Sequence, residues 1–203
     1  MIKTTLLAFT LSAICIAGSA QDRVLFLDLT PTNEGVFMHD SIAFTGTSYA
    51  ITENGILQYE KLCKEGKIYL ERNYYAYPTD TVPKLKFESE MLNGKRHGVR
   101  KGWYHSGALK FESNYSKGWN DGKSTTWYEN GKLKKEVHFK KGVKVESYKN
   151  WNEGGVLVKE RIYEQVTPTT SKLIRRKKYD PNSGEMIRDE CLNHEGEIID
   201  CTD

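Results

Sequence analysis

The sequence is poor in apolar residues and has no long hydrophobic run. Of its 203 residues, 38% are hydrophobic, and the mean hydropathy is -0.63. A chain this polar has a thin core, which favours strands over a thick globular interior. Its longest apolar run, Leu6 to Ala17, falls short of the roughly 20 residues that span a bilayer as a helix.

Signatures of catalysis and of metal or phosphate binding are also missing. The chain has no C-x-x-C pair, no G-x-S-x-G and no H-E-x-x-H, and "GKRHG" at 94–98 lacks the Gly-Lys-Ser/Thr ending of a phosphate-binding loop. His97 and His105 could form a base or ligand pair, but His97 is expected at a corner and His105 beside a turn, both exposed and without a positioned partner. We therefore predict a protein that is not an enzyme, with no cofactor and no metal site.

The segment 1–20 is typical of an export signal. Lys3 supplies the positive start, the apolar run follows, and "GSA" precedes Gln21, so cleavage is expected after Ala20. A retained membrane anchor is the alternative. A lipoprotein signal built on Cys15 does not fit, because an isoleucine precedes that cysteine. The mature protein is expected outside the cytoplasm, with no transmembrane segment after cleavage.

Three cysteines remain after such a cleavage. A Cys191–Cys201 disulfide would close a short C-terminal loop in an oxidising compartment, and Cys63 would remain as a small apolar strand residue. Sequence alone does not fix the connectivity, so this bridge stays an expectation.

The chain has an internal repeat with a 24-residue period. Three independent sets of residues share this spacing: Trp103, Trp127 and Trp151; Gly107, Gly131 and Gly155; Gly94, Gly118 and Gly142. Weaker copies extend the pattern on both sides, with an insertion around Pro78 and Pro83. We count six units over residues 44–196, preceded by a capping strand segment at 21–43 and followed by a tail at 197–203.

Each unit has the pattern of a β-hairpin. Leu109, Phe111, Ser113 and Tyr115 alternate with polar residues, as strand residues do. Asn130-Gly131 is predicted to form the tight hairpin turn, and Gly94 and Gly98 the corner into the next unit. The fold class predicted is all-β, an elongated antiparallel meander of about six hairpin repeats.

These motifs resemble a known family. "NGKRHG" (93–98), followed by an aromatic strand and a turn glycine, is similar to the core of MORN repeats, and the W-Y-x-x-G-x-L-K-x-E register resembles the MORN-repeat-variant family. Bacterial members of that family are often labelled YwqK-family antitoxins. The resemblance implies a bacterial hairpin array used for binding or scaffolding, with no catalytic residues to carry over.

A glutamate recurs at the same period, at positions 88, 112, 136 and 160. Paired carboxylates are used in glycoside cleavage. A carboxylate that recurs in every unit is better explained as a structural partner for lysines on neighbouring strands.

Positive charge is concentrated in the middle of the chain, although the net charge is only +3. Residues 94–145 hold 13 Lys and Arg against 4 Asp and Glu, and "KLIRRKK" follows at 172–178. Basic strands attract anionic glycans or lipid headgroups. Exposed lysines also keep a two-sided sheet soluble, and that simpler interpretation is favoured.

The regular spacing of the aromatic residues gives a candidate binding surface. The tryptophans are expected to form a core row on one face, with the adjoining tyrosines on the opposite face, where they could line a shallow groove. The candidate partner-binding residues are Tyr104, Tyr128, Lys95, Arg96, Arg100, Lys110 and Lys134.

The sequence therefore predicts an exported repeat protein without enzymatic activity. It is expected to bind or scaffold another protein or an anionic envelope component, in the periplasm, at the cell envelope or as a secreted protein. Nucleic acid is not an expected partner for an exported chain. The alternatives are an antitoxin or immunity protein that neutralises a cognate toxin, and an envelope enzyme of unrecognised type.

Overall fold

The computed structural model describes residues 22–201, so the predicted export signal and Cys15 lie outside the described residues. One 3-10 turn, Phe26–Asp28, follows the first strand. The strands are β1 Arg23–Leu25, β2 Thr30–Pro31, β3 Phe37–His39, β4 Ile42–Ala43, β5 Gly46–Ile51, β6 Leu57–Lys64, β7 Lys67–Tyr75, β8 Lys84–Leu92, β9 Lys95–Trp103, β10 Leu109–Ser116, β11 Trp119–Trp127, β12 Leu133–Lys140, β13 Val143–Trp151, β14 Leu157–Thr167, β15 Thr170–Tyr179, β16 Met186–Leu192 and β17 Ile198–Ile199.

The fold is the predicted antiparallel meander. Strands β5 to β17 lie in one sheet in chain order, each antiparallel to the next, and β1 completes its 14 strands. The alternating, Tyr- and Thr-rich segments form these strands because such side chains suit a pleated surface that is half buried. The predicted all-β fold, an elongated antiparallel meander of hairpins, is therefore confirmed.

Tight two-residue turns lie along one long edge of the sheet, which we call the turn edge. Both residues of the Asn93-Gly94 turn have positive φ, 49° and 70°, and Lys117-Gly118 and Lys141-Gly142 do the same. Positive φ at both positions defines the hairpin turn whose twist matches that of the strands. Asn93-Gly94 is thus the tight turn, where the sequence predicted a corner between hairpins.

The opposite edge, the loop edge, carries longer connections. Tyr128 N donates to Lys132 O at 2.8 Å and Gly131 N to Tyr128 O at 3.0 Å, which makes a three-residue loop with a glycine bulge. Asn130-Gly131 lies in the connection of a hairpin, as predicted, but that connection is a bulged three-residue loop and not the tight turn that was expected. Gly131 alone of this pair has positive φ, because the bulge requires it at one position.

Gly98 lies within β9 and does not form a corner. Its φ is +87°, and an added Cβ would overlap the Glu90 carboxylate, which accepts a hydrogen bond from Val99 N at 3.1 Å. Gly122 repeats this conformation in β11, with φ +106°. The same position in β13 is Glu146, which keeps positive φ (57°) without the freedom of a glycine.

The N-terminal end is built differently from the repeats. Strand β1 pairs in parallel with β5, and β2, β3 and β4 form a separate small sheet, so the cap is more than the single extra strand that was expected. Leu29, Phe44 and Cys63 are buried together, with Phe37 and Ile68 packed against them. Burial raises the pKa of the Cys63 thiol, which fits its expected place as a small apolar strand residue.

The repeat tryptophans do not form a buried core. Trp103, Trp127 and Trp151 are half-buried, each opposite a leucine on the next strand. Among the described residues, the buried apolar side chains are Leu29, Phe44, Cys63 and Val137. The compact apolar core therefore lies at the N-terminal end.

A disulfide joins Cys191 in β16 to Cys201 at the C-terminal end of the sheet. It spans the last hairpin, in which β17 pairs with β16 through Cys191 and Leu192. The bridge thus holds the short final strand against its only described neighbour.

Candidate functional site

One face of the sheet, which we call face 1, carries a continuous row of residues with alternating charge. Residues directly opposite on neighbouring antiparallel strands share a face and interact. The row is Glu60, Arg72, Glu88, Lys101, Glu112, Thr125, Glu136, Lys149, Glu160, Lys177 and Asp189. Thr125 is the single interruption.

The periodic glutamates pair with cations, as predicted. Glu88 accepts a hydrogen bond from Arg72 at 2.7 Å, and Glu112 lies 3.3 Å from Lys101. Glu160 lies 3.6 Å from Lys149 and 3.7 Å from Lys177. At the end of the row, the hydrogen bond from Arg175 lowers the pKa of Asp189. These carboxylates neutralise neighbouring cations across the sheet.

Tyrosine hydroxyls link successive units at the loop edge. Tyr75, Tyr104 and Tyr128 donate to the backbone carbonyls of Trp103, Trp127 and Trp151 respectively, each at 2.8 Å. Burial raises the pKa of Tyr75 and of Tyr104. Because their O–H groups donate inside the fold, the two candidate tyrosines can offer a partner only their rings and the acceptor capacity of the hydroxyl oxygens.

Lysines cover those rings. Lys110 Nζ lies 5.0 Å from the centre of the Tyr104 ring, and Lys134 Nζ lies 4.8 Å from that of Tyr128. Four of the seven candidate residues thus form two equivalent cation–π pairs. The two pairs are one unit apart. They are therefore explained by the repeat itself and do not by themselves indicate a binding site.

The remaining candidates lie elsewhere. Arg100 is on the opposite face, which we call face 2, with its guanidinium 4.7 Å from the Phe87 ring centre and 5.0 Å from that of Phe111. Lys95 and Arg96 lie at the turn edge. Arg96 lies near the start of β9 and Tyr104 follows its end, so the two side chains lie at opposite edges of the sheet. The seven residues therefore do not form one compact patch.

Sequence reasoning missed an exposed aromatic residue at the turn edge. Trp119 begins β11 and is 63% exposed. Its ring lies beside Gly142, whose added Cβ would come within 2.9 Å of it. It falls outside the 24-residue tryptophan spacing, so the repeat gave no signal for it.

His105 has partners that the sequence did not predict. Its Nε2 lies 2.8 Å from Asp80 Oδ2 and 3.3 Å from Lys84 Nζ, and its ring packs against Tyr75 and Tyr77. The hydrogen bond that Asp80 accepts from His105, and then the one from Lys84, lowers the pKa of Asp80. The expectation of an exposed, unpartnered His105 was wrong, because the insertion after β7 brings Asp80 to it.

Basic side chains cluster on face 2 near the C-terminal end of the sheet. Lys159, Lys178 and Arg188 lie directly opposite one another on β14, β15 and β16, and Arg161 lies opposite Arg176. A depression of about 140 Å³ lies between these side chains. With Lys135, which shares their row, these six residues are here called the basic cluster. The sequence showed the basic run at 172–178. That Lys159, Arg161 and Arg188 lie opposite it is seen only from the strand register.

Residues 22–201 do not meet the requirements of a metal site or of a membrane-spanning helix. No group of three or more His, Cys, Asp or Glu in that range is placed to hold a metal ion. No helix there is long and apolar enough to cross a membrane. A cavity of about 280 Å³ lies between the small N-terminal sheet and the Asn93-Gly94 turn, lined in part by Glu34 and Lys67.

Comparison with known families gives a partial match. Residues 96–117 and 120–141 each match the family model described as MORN repeat variant. The two matches begin one repeat period apart. Searching the curated proteins gave no match. The chain is thus similar to MORN repeat variants over two central units, and such repeats are generally non-enzymatic and suggest a role in binding.

Proposed function

We propose that the protein is an exported, non-enzymatic repeat scaffold that binds a partner at the cell envelope. The observation that carries this proposal is that some side chains of the sheet serve stability and others remain free for binding. Periodic side chains, such as Tyr104 through its hydroxyl and Glu112 through its carboxylate, are already used in contacts between strands of the sheet. Charged residues outside these ion pairs, such as Lys159 and Lys178 on face 2, remain available for a partner.

The shape of the sheet supports a binding role. From β8 to β16 each strand packs mainly on its sequence neighbours, so both faces of the layer are open to solvent. Arrays of this type present extended surfaces and are widely used for recognition. Activity in such folds depends on what the repeats display.

Two features support export. The segment 1–20 has the pattern of a cleavable signal, and Cys191 and Cys201 are disulfide-bonded. Disulfides persist mainly in oxidising compartments such as the periplasm and the cell surface. A periplasmic, envelope-bound or secreted protein would have both features.

The expected partner is another protein or an anionic envelope component. The basic residues of the central strands favour a ligand of negative charge. An antitoxin or immunity role would be a special case, in which the partner is a single toxin. An export signal fits an immunity protein only if that toxin also acts outside the cytoplasm.

Affinity capture from an envelope extract tests this proposal. Full-length protein is immobilised, and bound material is identified by mass spectrometry and by sugar and phosphate analysis. We expect one class of component to be recovered unaltered and to be released by salt. One stoichiometric protein would indicate the immunity role, and polysaccharide or lipid would indicate surface scaffolding.

Cell fractionation and product analysis complete the test. An epitope-tagged chain should be recovered in the envelope or medium with the segment 1–20 removed. Chemical conversion of a captured component, abolished by His97→Ala without loss of the fold, would overturn the non-enzymatic part of the proposal. Retention of the tagged chain in the cytoplasm would overturn export.

A further inference from the structure

The two faces of the C-terminal strands differ in their charge pattern. On face 1, Glu160, Lys177 and Asp189 alternate across β14, β15 and β16. On face 2, the residues one position away along the same strands, Lys159, Lys178 and Arg188, all carry positive charge. The same three strands thus neutralise charge on one face and accumulate it on the other.

This accumulation of positive charge lowers the stability of the sheet when no ligand is bound. Like charges directly opposite on neighbouring strands destabilise a sheet. Among residues 22–201, no carboxylate lies within ion-pair distance of Lys159, Arg161 or Lys178. The one acid directly opposite any of these cations is Glu190, which accepts a hydrogen bond from Arg176 and lies 3.8 Å from Arg188.

We propose that the basic cluster binds a linear anionic polysaccharide, through carboxylate or sulfate groups that follow one another along the sugar chain. This inference rests on the proposed binding function and names a site and a ligand class for it. External anions would supply the negative charges that face 2 lacks. The depression of about 140 Å³ between Lys159, Arg161 and Arg188 would receive one such group.

The dimensions of the cluster suit an extended chain. One row runs across five strands from Lys135 through Asn150, Lys159 and Lys178 to Arg188. With strands about 4.8 Å apart, it is about 19 Å long. Arg161 and Arg176 form a second row alongside it, two residues further along the strands. This second row continues to Tyr148 on β13 and Val137 on β12, and to Glu190 on β16. Two parallel rows would hold a chain that lies across the strands.

Other polyanions fit these rows less well. Proteins that bind single-stranded nucleic acid stack successive bases on several aromatic side chains. The one aromatic residue in these rows is Tyr148, whose ring centre lies 5.6 Å from Lys144 Nζ. Surface binding to a bilayer combines basic residues with apolar side chains that insert. The apolar member of these rows, Val137, is 2% exposed.

Binding of defined probes to the full mature chain tests the inference. The probes are polygalacturonate, which carries carboxylates, dextran sulfate, which carries sulfates, and uncharged dextran. We expect at least one charged polysaccharide to bind in a salt-dependent manner and uncharged dextran not to bind. The two charged probes distinguish the two kinds of anionic group.

Lys178→Glu is the decisive variant. A glutamate between Lys159 and Arg188 restores alternating charge, so the melting temperature should stay the same or rise while polysaccharide affinity falls by about tenfold or more. Arg161→Glu should weaken binding similarly. Lys64→Glu makes the same charge change at an exposed position near the other end of the sheet and should leave affinity within about twofold.

Several outcomes would overturn the inference. These are equal affinity for Lys178→Glu and Lys64→Glu, no binding of either charged polysaccharide, or tighter binding of single-stranded DNA or of anionic lipid vesicles than of polysaccharide. Capture of an envelope partner that survives Lys178→Glu would leave the proposed binding function intact and reject this site. If the probes bind through the basic cluster but no envelope partner is captured, the site would be supported and the proposed binding function rejected.

Discussion

The N-terminal end and the central repeats are held together by different interactions. At the N-terminal end, Leu29, Phe44 and Cys63 pack between the long sheet and the small one. In the repeats between β8 and β14, Val137 is the buried apolar side chain among the described residues. There the recurring contacts are polar: tyrosine to carbonyl, glutamate to lysine, and turn glycine to carbonyl.

This difference shows that a single-layered sheet can be stabilised by polar contacts between neighbouring hairpins instead of an apolar core. Each hairpin is fixed by the next, as when Gly118 N donates to Arg96 O at 2.8 Å and Gly142 N to Asn120 O at 2.7 Å. Gly66 N makes the same contact with Phe44 O at 2.7 Å, at the same separation along the chain. The last bond joins the two regions, because Phe44 also belongs to the apolar cluster. The first hairpin of the array has a neighbour on one side only. The apolar cluster supplies the contacts that the missing neighbour would make.

The largest effect should come from the apolar cluster. Phe44→Ala removes a buried ring, which typically costs about 3–5 kcal/mol of unfolding free energy. We expect early loss of hydrogen-exchange protection in β5 and β6, while β10 to β13 keep theirs. Val137→Ala is the corresponding truncation in the repeats; it removes two methyl groups and should cost about 2 kcal/mol. A greater cost for Val137→Ala would contradict the contrast between the regions.

Alkaline pH should weaken both regions. Burial, then the hydrogen bond to Glu60 at 2.6 Å, raises the pKa of Tyr74, and burial raises the pKa of Tyr75, Tyr104 and Tyr179. A raised pKa in the folded state gives stability that is fully present below the unfolded value, about 10, and is lost as pH rises towards the folded value. The unfolding free energy should therefore fall above about pH 10. Urea titrations with tyrosinate absorbance measure this, and a smaller fall in Tyr74→Phe is the internal check.

Much of the repeat region could be predicted from the sequence because its signals are periodic. The 24-residue spacing gave the meander, and the glutamate spacing gave the ion pairs of Glu88, Glu112, Glu136 and Glu160. The turn types were assigned to the wrong edges. Asn130-Gly131 has the typical two-residue turn sequence, but the extra residues around it make a bulged loop, while Lys117-Gly118 adopts the tight turn.

The non-periodic features could not be predicted in the same way. Asp80 reaches His105 through the insertion after β7, a contact 25 residues apart that no spacing indicated. The basic cluster depends on which residues face each other across β14, β15 and β16, and bulges at Ile162/Tyr163 and Lys178/Tyr179 shift that register. A one-residue shift moves a side chain to the other face, so its neighbours need the structure.

A moderate effect is expected from the tyrosine contacts. Tyr104→Phe removes the hydrogen bond to Trp127 O, at a cost of about 1 kcal/mol. Tyr128→Phe should cost the same, since its bond to Trp151 O is equivalent. Tyr115→Phe is the control, because the Tyr115 hydroxyl has no hydrogen bond within the described residues. An equal cost for all three, measured by urea unfolding, would mean that the hydroxyls do not link the units.

A substitution in β13 should stabilise the repeats slightly. Glu146 has φ 57° where Gly98 and Gly122 occupy the same position in earlier units. Glu146→Gly relieves that strain but increases the freedom of the unfolded chain, for a net gain of about 0.5–1 kcal/mol. Gly122→Ala is the reverse test and should destabilise. A lower melting temperature for Glu146→Gly would show that its side chain contributes more than its backbone costs.

The smallest effect should come from the row of charges on face 1. Glu112→Gln removes an ion pair with Lys101 in which both side chains are about 40% exposed, so the loss should be about 0.2–1 kcal/mol. Salt near 1 M should erase most of that difference, because it screens exposed charges. Phe44→Ala should keep its full cost in the same salt, since apolar burial is not screened. If the two variants responded alike to salt, the division between a polar repeat region and an apolar end would fail. A salt response confined to Glu112→Gln would locate the electrostatic part of the stability in the repeats.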